Sequence, residues 1–269
     1  MNVVNNKIPS IDGKGLMMGR PSYTDDLAEK NSLIVKLLRS PHPYAKILNI
    51  DDTEAKKIPG VKLILTHKDF TRKSFTRAGQ GYPEPSPHDK FVLDEYVRHI
   101  GDEVCCVAAI SEEICEEALK LIKVKYEVLE PILDFEDAMD SKIIIHPEDG
   151  IHEMFPIGFE PKRNIAASYQ MEVGNVEDDI KKSDVVLEQS FYTQAQAHAM
   201  LEPHTVNARL DYQDRLVLYT STQTPVHVRR ILSQTLDIPL SRIRVIKPRV
   251  GGGFGGKQQL HGEMFVSTV

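Results

Sequence analysis

Near the C-terminal end of the sequence, five glycines surround a single phenylalanine. Residues 249–258, here called the glycine loop, read Arg-Val-Gly-Gly-Gly-Phe-Gly-Gly-Lys-Gln. The alternating apolar residues 243–247 before the loop predict a strand, and the polar residues after it are compatible with the start of a helix. Glycine lets backbone amides approach a ligand closely, and unpaired amides at a helix start favour negative charge. We therefore predict that the glycine loop holds an anionic or phosphate-bearing cofactor.

Two nucleotide-binding patterns fit the loop in part. Gly251, Gly253 and Gly256 form the Gly-x-Gly-x-x-Gly pattern of dinucleotide sites, but the acidic residue expected about 20 positions downstream lies beyond the sequence. Gly251 and Gly256-Lys257 resemble a P-loop, but Gln258 stands where a hydroxyl should bind magnesium. A P-loop-like nucleotide-binding module is therefore kept as an alternative. A tight turn without a ligand is a further alternative, although so many glycines carry a large entropy cost.

A second segment with chemical potential, residues 194–204, reads Gln-Ala-Gln-Ala-His-Ala-Met-Leu-Glu-Pro-His. His198, Glu202 and His204 lie at even spacing, so they share one face of an extended chain and could be proposed as metal ligands. Pro203 breaks the helix that a His-Glu-x-x-His zinc motif needs. A hydrogen-bonded core network is the favoured interpretation of these residues. By residue type alone, Gln196 is an ordinary polar strand residue.

Composition excludes several classes of protein. The chain has 269 residues, of which 41% are hydrophobic and 27% charged, and its net charge is −6. That charge argues against a general nucleic-acid or membrane-surface binder, and no apolar run approaches the roughly 20 residues of a membrane span. The N-terminus has no apolar signal segment, and Cys105, Cys106 and Cys115 have no metal-binding spacing, so we predict a cytoplasmic protein with reduced core cysteines. A basic cluster between residues 229 and 249 is interpreted as a solvated face.

The hydrophobic pattern predicts an α+β protein of two units joined by a linker. Residues 1–139 form an α/β unit with strands at 33–39, 45–50, 61–65, 104–110 and 122–128 and helices at 51–57 and 112–121. Residues 140–163 are irregular and rich in proline, and we interpret them as the linker. Residues 164–269 form the second unit, with strands at 165–173, 185–194, 205–211, 216–220 and 243–247 and helices at 176–182 and 226–236.

The glycine loop resembles the glycine–phenylalanine loop of the molybdenum hydroxylases, the family of xanthine dehydrogenase and aldehyde oxidase. Four short segments of the first unit resemble the α/β hammerhead domain that opens the molybdenum-binding subunit of that family, namely residues 39–42, 58–61, 101–104 and 124–131. The resemblance implies a hammerhead domain followed by the first part of a mixed α+β molybdopterin-binding domain. Residues 221–225 also resemble a segment of that family.

The resemblance also implies roles for particular residues. Gln196, in a Gln-x-His-x-x-Leu-Glu segment, would donate its amide to an oxygen ligand of molybdenum, and Gly253, Phe254 and Gly255 would line the molybdenum–pterin cofactor. Gln258 replaces the glutamate that binds the heterocycle in purine-oxidising members, so it is expected to bind substrate, with the purine preference in doubt. The general base of the family is expected in a C-terminal part beyond this sequence, so no residue here is expected to be catalytic.

The implied reaction is hydroxylation of an electron-poor carbon, in a heteroaromatic and purine-like ring, with water as the oxygen source. Iron–sulfur ([2Fe-2S]) and flavin (FAD) groups are expected on other domains or subunits, and the pterin is expected in either its simple or its dinucleotide form. Residues 76–87 resemble a xanthine-dehydrogenase-like branch with some members that contain labile selenium. We expect a truncated piece or a split subunit that is inactive alone. A non-catalytic scaffold piece of a larger complex is the remaining alternative.

Overall fold

The computed structural model describes residues 4–20, 22–77, 79 and 81–269. Ala78 and Gln80, which belong to the stretch that resembles the selenium-containing branch, lie outside the described residues, as does the start of the N-terminal segment in which a signal was sought. In the described part, no helix is long and apolar enough to cross a membrane.

Six strands and two helices build the N-terminal half. The strands are β1 (Ile34–Arg39), β2 (Ala45–Asp51), β3 (Val61–Leu65), β4 (Tyr96–Val97), β5 (Glu103–Ala109) and β6 (Lys123–Val128). The helices are α1 (Gly13–Met17) and α2 (Glu112–Leu121). Two antiparallel three-stranded sheets have the orders β1-β5-β3 and β4-β2-β6. The positions of β1, β2, β3, β5, β6 and α2 agree with the prediction for the first unit. The short helix α1 and the two-residue β4 were not predicted, and the helix expected at 51–57 is only a 3-10 turn at Ala55–Lys57.

Helix α2 begins where its sequence predicts. The hydroxyl of Ser111 accepts a hydrogen bond from the Ile114 amide, and acidic residues in the first turn complement the helix dipole. The buried face of α2 carries Cys115 and Ala118, which pack with Cys105 of β5 in one apolar cluster. Burial raises the pKa of the Cys105 thiol to about 12, as it does for Cys106, and it also raises the pKa of Cys115.

Two of the four segments that carry the hammerhead resemblance meet in space. The Ser40 amide donates to the Asp102 carbonyl (2.9 Å), and the Gly101 amide donates to the Ser40 carbonyl (2.8 Å). The Arg39 guanidinium also donates to the Gly101 carbonyl (2.8 Å). These bonds join the end of β1 to the start of β5, so the two segments specify one connection between neighbouring strands.

The C-terminal half contains one small mixed sheet and three helices. The elements are α3 (Val176–Lys182), β7 (Val206–Leu210), β8 (Leu216–Thr220), α4 (Pro225–Leu236), β9 (Ile243–Ile246) and α5 (Glu263–Thr268). Strand β8 pairs antiparallel with β7 and parallel with β9, and α4 forms the crossover between the parallel strands. Proline at the first turn of α4 suits a helix start.

The strands predicted at 165–173 and 185–194 are wrong. Ile165 makes only an isolated bridge to Glu160, and residues 184–199 form neither a helix nor a strand and have no strand partner in the described part of the chain. A strand is stabilised by hydrogen bonds to a neighbour, which a local hydrophobic pattern does not supply. The side chains of this segment are therefore exposed, including Leu187 (83%), Phe191 (85%) and Tyr192 (93%).

The largest apolar cluster joins the two halves of the chain. Phe75 and Cys106 from the first unit pack in one cluster with Leu218, Ile231 and Phe265 from the second. Residues between the halves are irregular, as predicted for the linker, apart from a 3-10 turn at its end. That stretch is fixed to the first unit, because Glu148 forms an ion pair with the mostly buried Arg98 (2.5 Å).

Candidate functional site

The glycine loop follows β9 and makes a tight turn. Gly252 (φ 99°), Phe254 (φ 48°) and Gly255 (φ 92°) have left-handed backbones. The Gly256 amide donates to the Gly253 carbonyl (2.7 Å), and a 3-10 turn at Gly256–Gln258 follows. Glycine adopts this conformation without strain, whereas Phe254 adopts it at a cost that the surrounding turn must offset.

Glu202 anchors both ends of the loop. Its carboxylate accepts hydrogen bonds from the Gly251 amide (2.6 Å), the Lys257 ammonium (2.7 Å) and the Ser221 hydroxyl (2.9 Å). Burial raises the pKa of Glu202, but these hydrogen bonds, with that from Lys257 the strongest, lower the pKa by more than burial raises it. The net pKa of Glu202 is therefore below its ordinary value. Lys257 is fully buried, and the Glu202 carboxylate compensates its positive charge. The ion pair thereby fixes the position of the loop.

Three glycines of the loop lie against side chains from other segments. A β-carbon at Gly251 would lie 2.6 Å from the Cβ of Glu202, and one at Gly256 would lie 2.9 Å from the Cγ of His198. A β-carbon at Gly253 would lie 2.5 Å from the Oε1 of Gln223. Part of the glycine content is therefore required by packing within the chain itself.

The outer part of the loop presents unpaired amide donors. In the described structure, the amides of Gly252, Gly253 and Phe254 have no hydrogen-bond partner. The Gly255 amide instead donates to the Oε1 of Gln223 (3.2 Å). Phe254, beside these donors, is 75% exposed. Consecutive amides in a left-handed turn form a concave site for an anionic group or an oxygen ligand, so the residues present fit a pterin or oxometal cofactor.

Gln196 lies in an irregular segment whose C-terminal end packs on the loop. Two residues after it, His198 lies beside the loop, with its Nε2 3.8 Å from the position of a β-carbon on Gly255. The Cβ of Met200 lies 3.4 Å from a β-carbon position on Gly252. Gln196 itself is exposed and makes no hydrogen bond within the described part of the chain. The structure therefore brings its segment to the loop, and direct convergence of Gln196 with Phe254 stays a prediction.

The histidines near the loop belong to a polar network. The His204 and His261 rings contact each other at a tilt of 43° with centroids 3.8 Å apart, and the His261 Nε2 lies 3.3 Å from the Gly256 carbonyl oxygen. Glu263 accepts from the His261 amide (2.8 Å) and the Thr220 hydroxyl (2.8 Å). Among the described residues, no three His, Cys, Asp or Glu side chains are grouped to hold a metal ion.

Gln258 faces a cavity of about 380 Å³ at the N-terminal end of α4. Gln223 and Thr224 also line the cavity, and their segment is held against the loop by bonds to the Lys257 and Gln258 carbonyls. Neither a role for Gln223 nor the pairing of Glu202 with Lys257 was predicted from the sequence. The signal available for Gln223 was the resemblance of residues 221–225 to a family segment.

The P-loop alternative is not favoured by this geometry. A P-loop lysine must reach the phosphates of its nucleotide, but the ammonium of Lys257 is buried on Glu202. Gln258 also begins no long helix, because the 3-10 turn ends there.

Comparison with known proteins decides the family. Residues 159–269 match the family model described as "Molybdopterin cofactor-binding domain". Residues 18–130 match the one described as "Aldehyde oxidase and xanthine dehydrogenase, a/b hammerhead domain". The chain belongs to the molybdenum hydroxylase family. Both the resemblance and the predicted α+β fold class, a hammerhead domain followed by a molybdopterin-binding domain, are confirmed.

This molybdenum hydroxylase chain is similar to part of several longer proteins. It is 36% identical over 284 residues to "Probable hypoxanthine oxidase XdhD" of Escherichia coli O157:H7, covering 97% of this chain and 30% of the relative. It is 30% identical to "Aldehyde oxidase 2" of Cavia porcellus, covering 95% and 17%. It is 29% identical to "Nicotinate dehydrogenase large molybdopterin subunit" of Eubacterium barkeri, covering 95% and 55%. The chain thus spans 30% of the Escherichia coli relative and at most about half of these three.

Solved structures of the same kind share this fold. The aldehyde oxidoreductase from Desulfovibrio desulfuricans superimposes with a TM-score of 0.80 at 25% identity, covering 98% of this molybdenum hydroxylase chain and 29% of that chain. Quinoline 2-oxidoreductase from Pseudomonas putida 86 superimposes with a TM-score of 0.72 at 26% identity, covering 97% and 32%.

Proposed function

We propose that this chain is the N-terminal part of the molybdenum-binding subunit of an oxidoreductase that hydroxylates an electron-poor carbon with water as the oxygen source. The observation that carries the proposal is the row of unpaired amides at Gly252, Gly253 and Phe254 inside a molybdopterin-binding domain. The division into residues 1–139, 140–163 and 164–269 is proposed as the domain organisation. A non-catalytic scaffold piece would not need a row of unpaired amide donors, so the scaffold alternative does not explain them.

Different residues of the loop contact different parts of the proposed cofactor. The amides of Gly252, Gly253 and Phe254 donate to its oxygens, the Phe254 ring packs beside the pterin, and the Gly255 backbone lines the same site. Gln196 donates its neutral amide to the metal's ligand shell without adding a competing charge. When bound, the molybdenum–pterin group supplies a two-electron oxidant. The general base is proposed to lie outside this sequence, so this chain alone is expected to be inactive.

A heteroaromatic, purine-like ring is the proposed substrate. The relatives named for hypoxanthine and nicotinate and the solved structure named for quinoline support this class. Gln258 offers both an amide donor and a carbonyl acceptor at the cavity, which suits a neutral ring edge that also carries both. Electrons are proposed to leave through [2Fe-2S] and FAD groups on other domains or subunits. The dinucleotide form of the pterin and labile selenium are further proposals, and so is a cytoplasmic location.

The remaining part of the molybdenum-binding subunit is the proposed partner of residues 184–199. This segment forms neither a helix nor a strand, and Leu187, Phe191 and Tyr192 on it are almost fully exposed. A chain with exposed apolar side chains and unpaired backbone groups is a template for strand addition. About 70% of the Escherichia coli relative lies outside the region that matches this chain. A corresponding region of the complete subunit would supply the partner strand.

Metal analysis of the complete enzyme tests the proposed function. We expect stoichiometric molybdenum and pterin in the wild-type enzyme. Gly253→Ala should lower both, because the added β-carbon displaces Gln223 and distorts the donor row. Gly15→Ala is the matched control, since a β-carbon there meets nothing within 4 Å.

The outcomes separate the alternatives. Absence of molybdenum from the wild-type enzyme would overturn the proposal and favour the scaffold alternative. Full molybdenum content in a folded Gly253→Ala enzyme would show that the loop does not hold the cofactor.

A further inference from the structure

The cavity beside Gln258 has the size and the lining of a small-molecule site. Its volume of about 380 Å³ lies within the usual range for such sites, roughly 300–1,000 Å³. Its polar wall is formed by Gln223, Thr224, His227, Arg230 and Gln258. The cavity therefore adjoins the glycine loop through Gln223 and Gln258, and it extends away from the loop to the side chains of helix α4.

Arg230 is held in one orientation by a buried carboxylate. Its Nε and Nη2 both donate to the Oε1 of Glu84, the former at 3.0 Å, and Nη2 also donates to the Gly81 carbonyl (3.0 Å). Glu84 is only 1% exposed, and the guanidinium lies 5.1 Å from the centroid of the Tyr82 ring. The Nη1 of Arg230 has no partner among the residues that the structure describes. Arg230 thus lines the cavity with a donor whose position is fixed in advance.

The charge around this donor is balanced. Burial raises the pKa of Glu84, but the hydrogen bonds from Arg230 and from the backbone lower that pKa by more than burial raises it. The net pKa lies below the ordinary value, so the carboxylate is ionised opposite the guanidinium. His227 is 2% exposed, and burial lowers its pKa, which keeps the imidazole neutral. A ligand with its own full charge would lack a counter-charge here. A neutral ligand with an acceptor oxygen matches the wall.

We propose that this cavity binds the carbonyl edge of a neutral heteroaromatic substrate, with Arg230 donating through Nη1 to the ring's oxo group and Gln258 contacting the same ring. The inference rests on the proposed function and deepens it, because it names Arg230 as a specificity-determining residue. Glu84 is a positioning residue that acts through Arg230. The ring is recognised by its oxo group, so the same heterocycle without that group gains nothing from Arg230.

Binding of two related probes tests the inference. The dissociation constants of hypoxanthine, which carries an oxo group, and of unsubstituted purine are measured by equilibrium dialysis on the complete enzyme. Arg230→Gln should weaken hypoxanthine binding about 10-fold or more, the effect of losing one charge-assisted hydrogen bond, and leave purine binding unchanged. The steady-state KM for hypoxanthine should rise by a similar factor, with kcat changed less.

Two further variants guard against misfolding and against general charge effects. Because Arg230→Gln leaves Glu84 buried without its counter-charge, the double variant Glu84→Gln/Arg230→Gln removes both charges and should show the same selective loss. Arg244→Gln makes the same substitution at an exposed arginine of β9 and should change neither constant.

Each result has one interpretation. Equal loss of hypoxanthine and purine binding, no loss of either, or no hypoxanthine binding by the wild-type enzyme overturns the inference. Molybdenum content is measured on the same samples. If molybdenum is absent but Arg230→Gln still weakens hypoxanthine binding selectively, the proposed redox function fails and the cavity assignment stands.

Discussion

Lys257 is the residue that most clearly links the stability of the protein to its candidate site. Its ammonium is buried on Glu202, which also accepts a hydrogen bond from the Gly251 amide of the glycine loop. Removing one partner of a buried ion pair leaves the other charge without compensation, which costs about 3–5 kcal/mol. The pair therefore fixes the shape of the loop whether or not a cofactor is bound.

We predict that Lys257→Met lowers the free energy of unfolding by about 3–5 kcal/mol. Urea titrations followed by circular dichroism measure the change. Lys247→Met is the control, because Lys247 is exposed and its loss should matter little. Similar small effects of both substitutions would mean that the buried pair does not stabilise the fold.

Stability should also depend on buried histidines. Burial, and then the neighbouring His152, lower the pKa of His88 from its ordinary value of 6.5, and burial lowers that of His227. The unfolded chain then takes up protons that the folded chain excludes. We predict that the free energy of unfolding is highest above about pH 6.5 and falls as the pH is lowered below that value.

Urea titrations between pH 5 and pH 8 measure this dependence. His88→Gln removes one of the groups that take up a proton on unfolding, so its stability should fall less steeply below pH 6.5 than that of the wild-type chain. An unchanged slope in His88→Gln would contradict the assignment.

At the scale of elements, the glycine loop depends on close packing with residues 198–202. Gly251→Ala would place a β-carbon 2.6 Å from the Cβ of Glu202, and neither backbone can yield easily. We predict a loss of about 1–3 kcal/mol in the free energy of unfolding, as for other overpacked positions. Differential scanning calorimetry should show a lowered Tm, whereas Gly15→Ala should leave it nearly unchanged.

Helix α2 offers a second test at this scale. Ser111→Ala removes the side-chain acceptor of the Ile114 amide, and loss of such a cap costs about 1 kcal/mol. Ser111→Asp keeps an acceptor and should restore most of the stability in urea titrations. Equal stability of the alanine variant and the wild type would mean that the cap contributes nothing.

The elements also show what a local pattern can and cannot predict. Strands β3 and β8 have the predicted bounds, because short apolar runs between turn residues have few other stable arrangements. Residues 185–194 have a similar pattern but no strand partner among the residues that the structure describes. In the candidate site, the turn of the glycine loop was predicted from the sequence, and the substrate-binding role of Gln258 stays a prediction. The Glu202–Lys257 pair was not predicted, because its members lie 55 residues apart. Local spacing carries no information on such a contact.

At the scale of the whole molecule, the shared core and the exposed segment have different consequences. Phe75 from the first half and Ile231 from the second lie in one apolar cluster, so the two halves should unfold together. Residues 184–199 contribute little to the stability of that unit. We expect them to add to the stability of the protein only when the proposed partner region is present.

Hydrogen exchange followed by mass spectrometry tests this difference. We predict that the amides of residues 184–199 exchange rapidly in this chain alone and are protected in the complete enzyme, because strand addition supplies their missing partners. The amides of β5 serve as the control and should be protected in both samples. Rapid exchange of residues 184–199 in the complete enzyme would exclude strand pairing of this segment.

The three buried cysteines have a practical consequence. Cys106 lies in the apolar cluster shared by the two halves, whereas Cys105 and Cys115 lie in the cluster beneath α2. With raised pKa values and no access to solvent, their thiols react with an alkylating dye only after the surrounding packing opens. The order in which the dye modifies them therefore records which part of the interior opens first, with no engineered label.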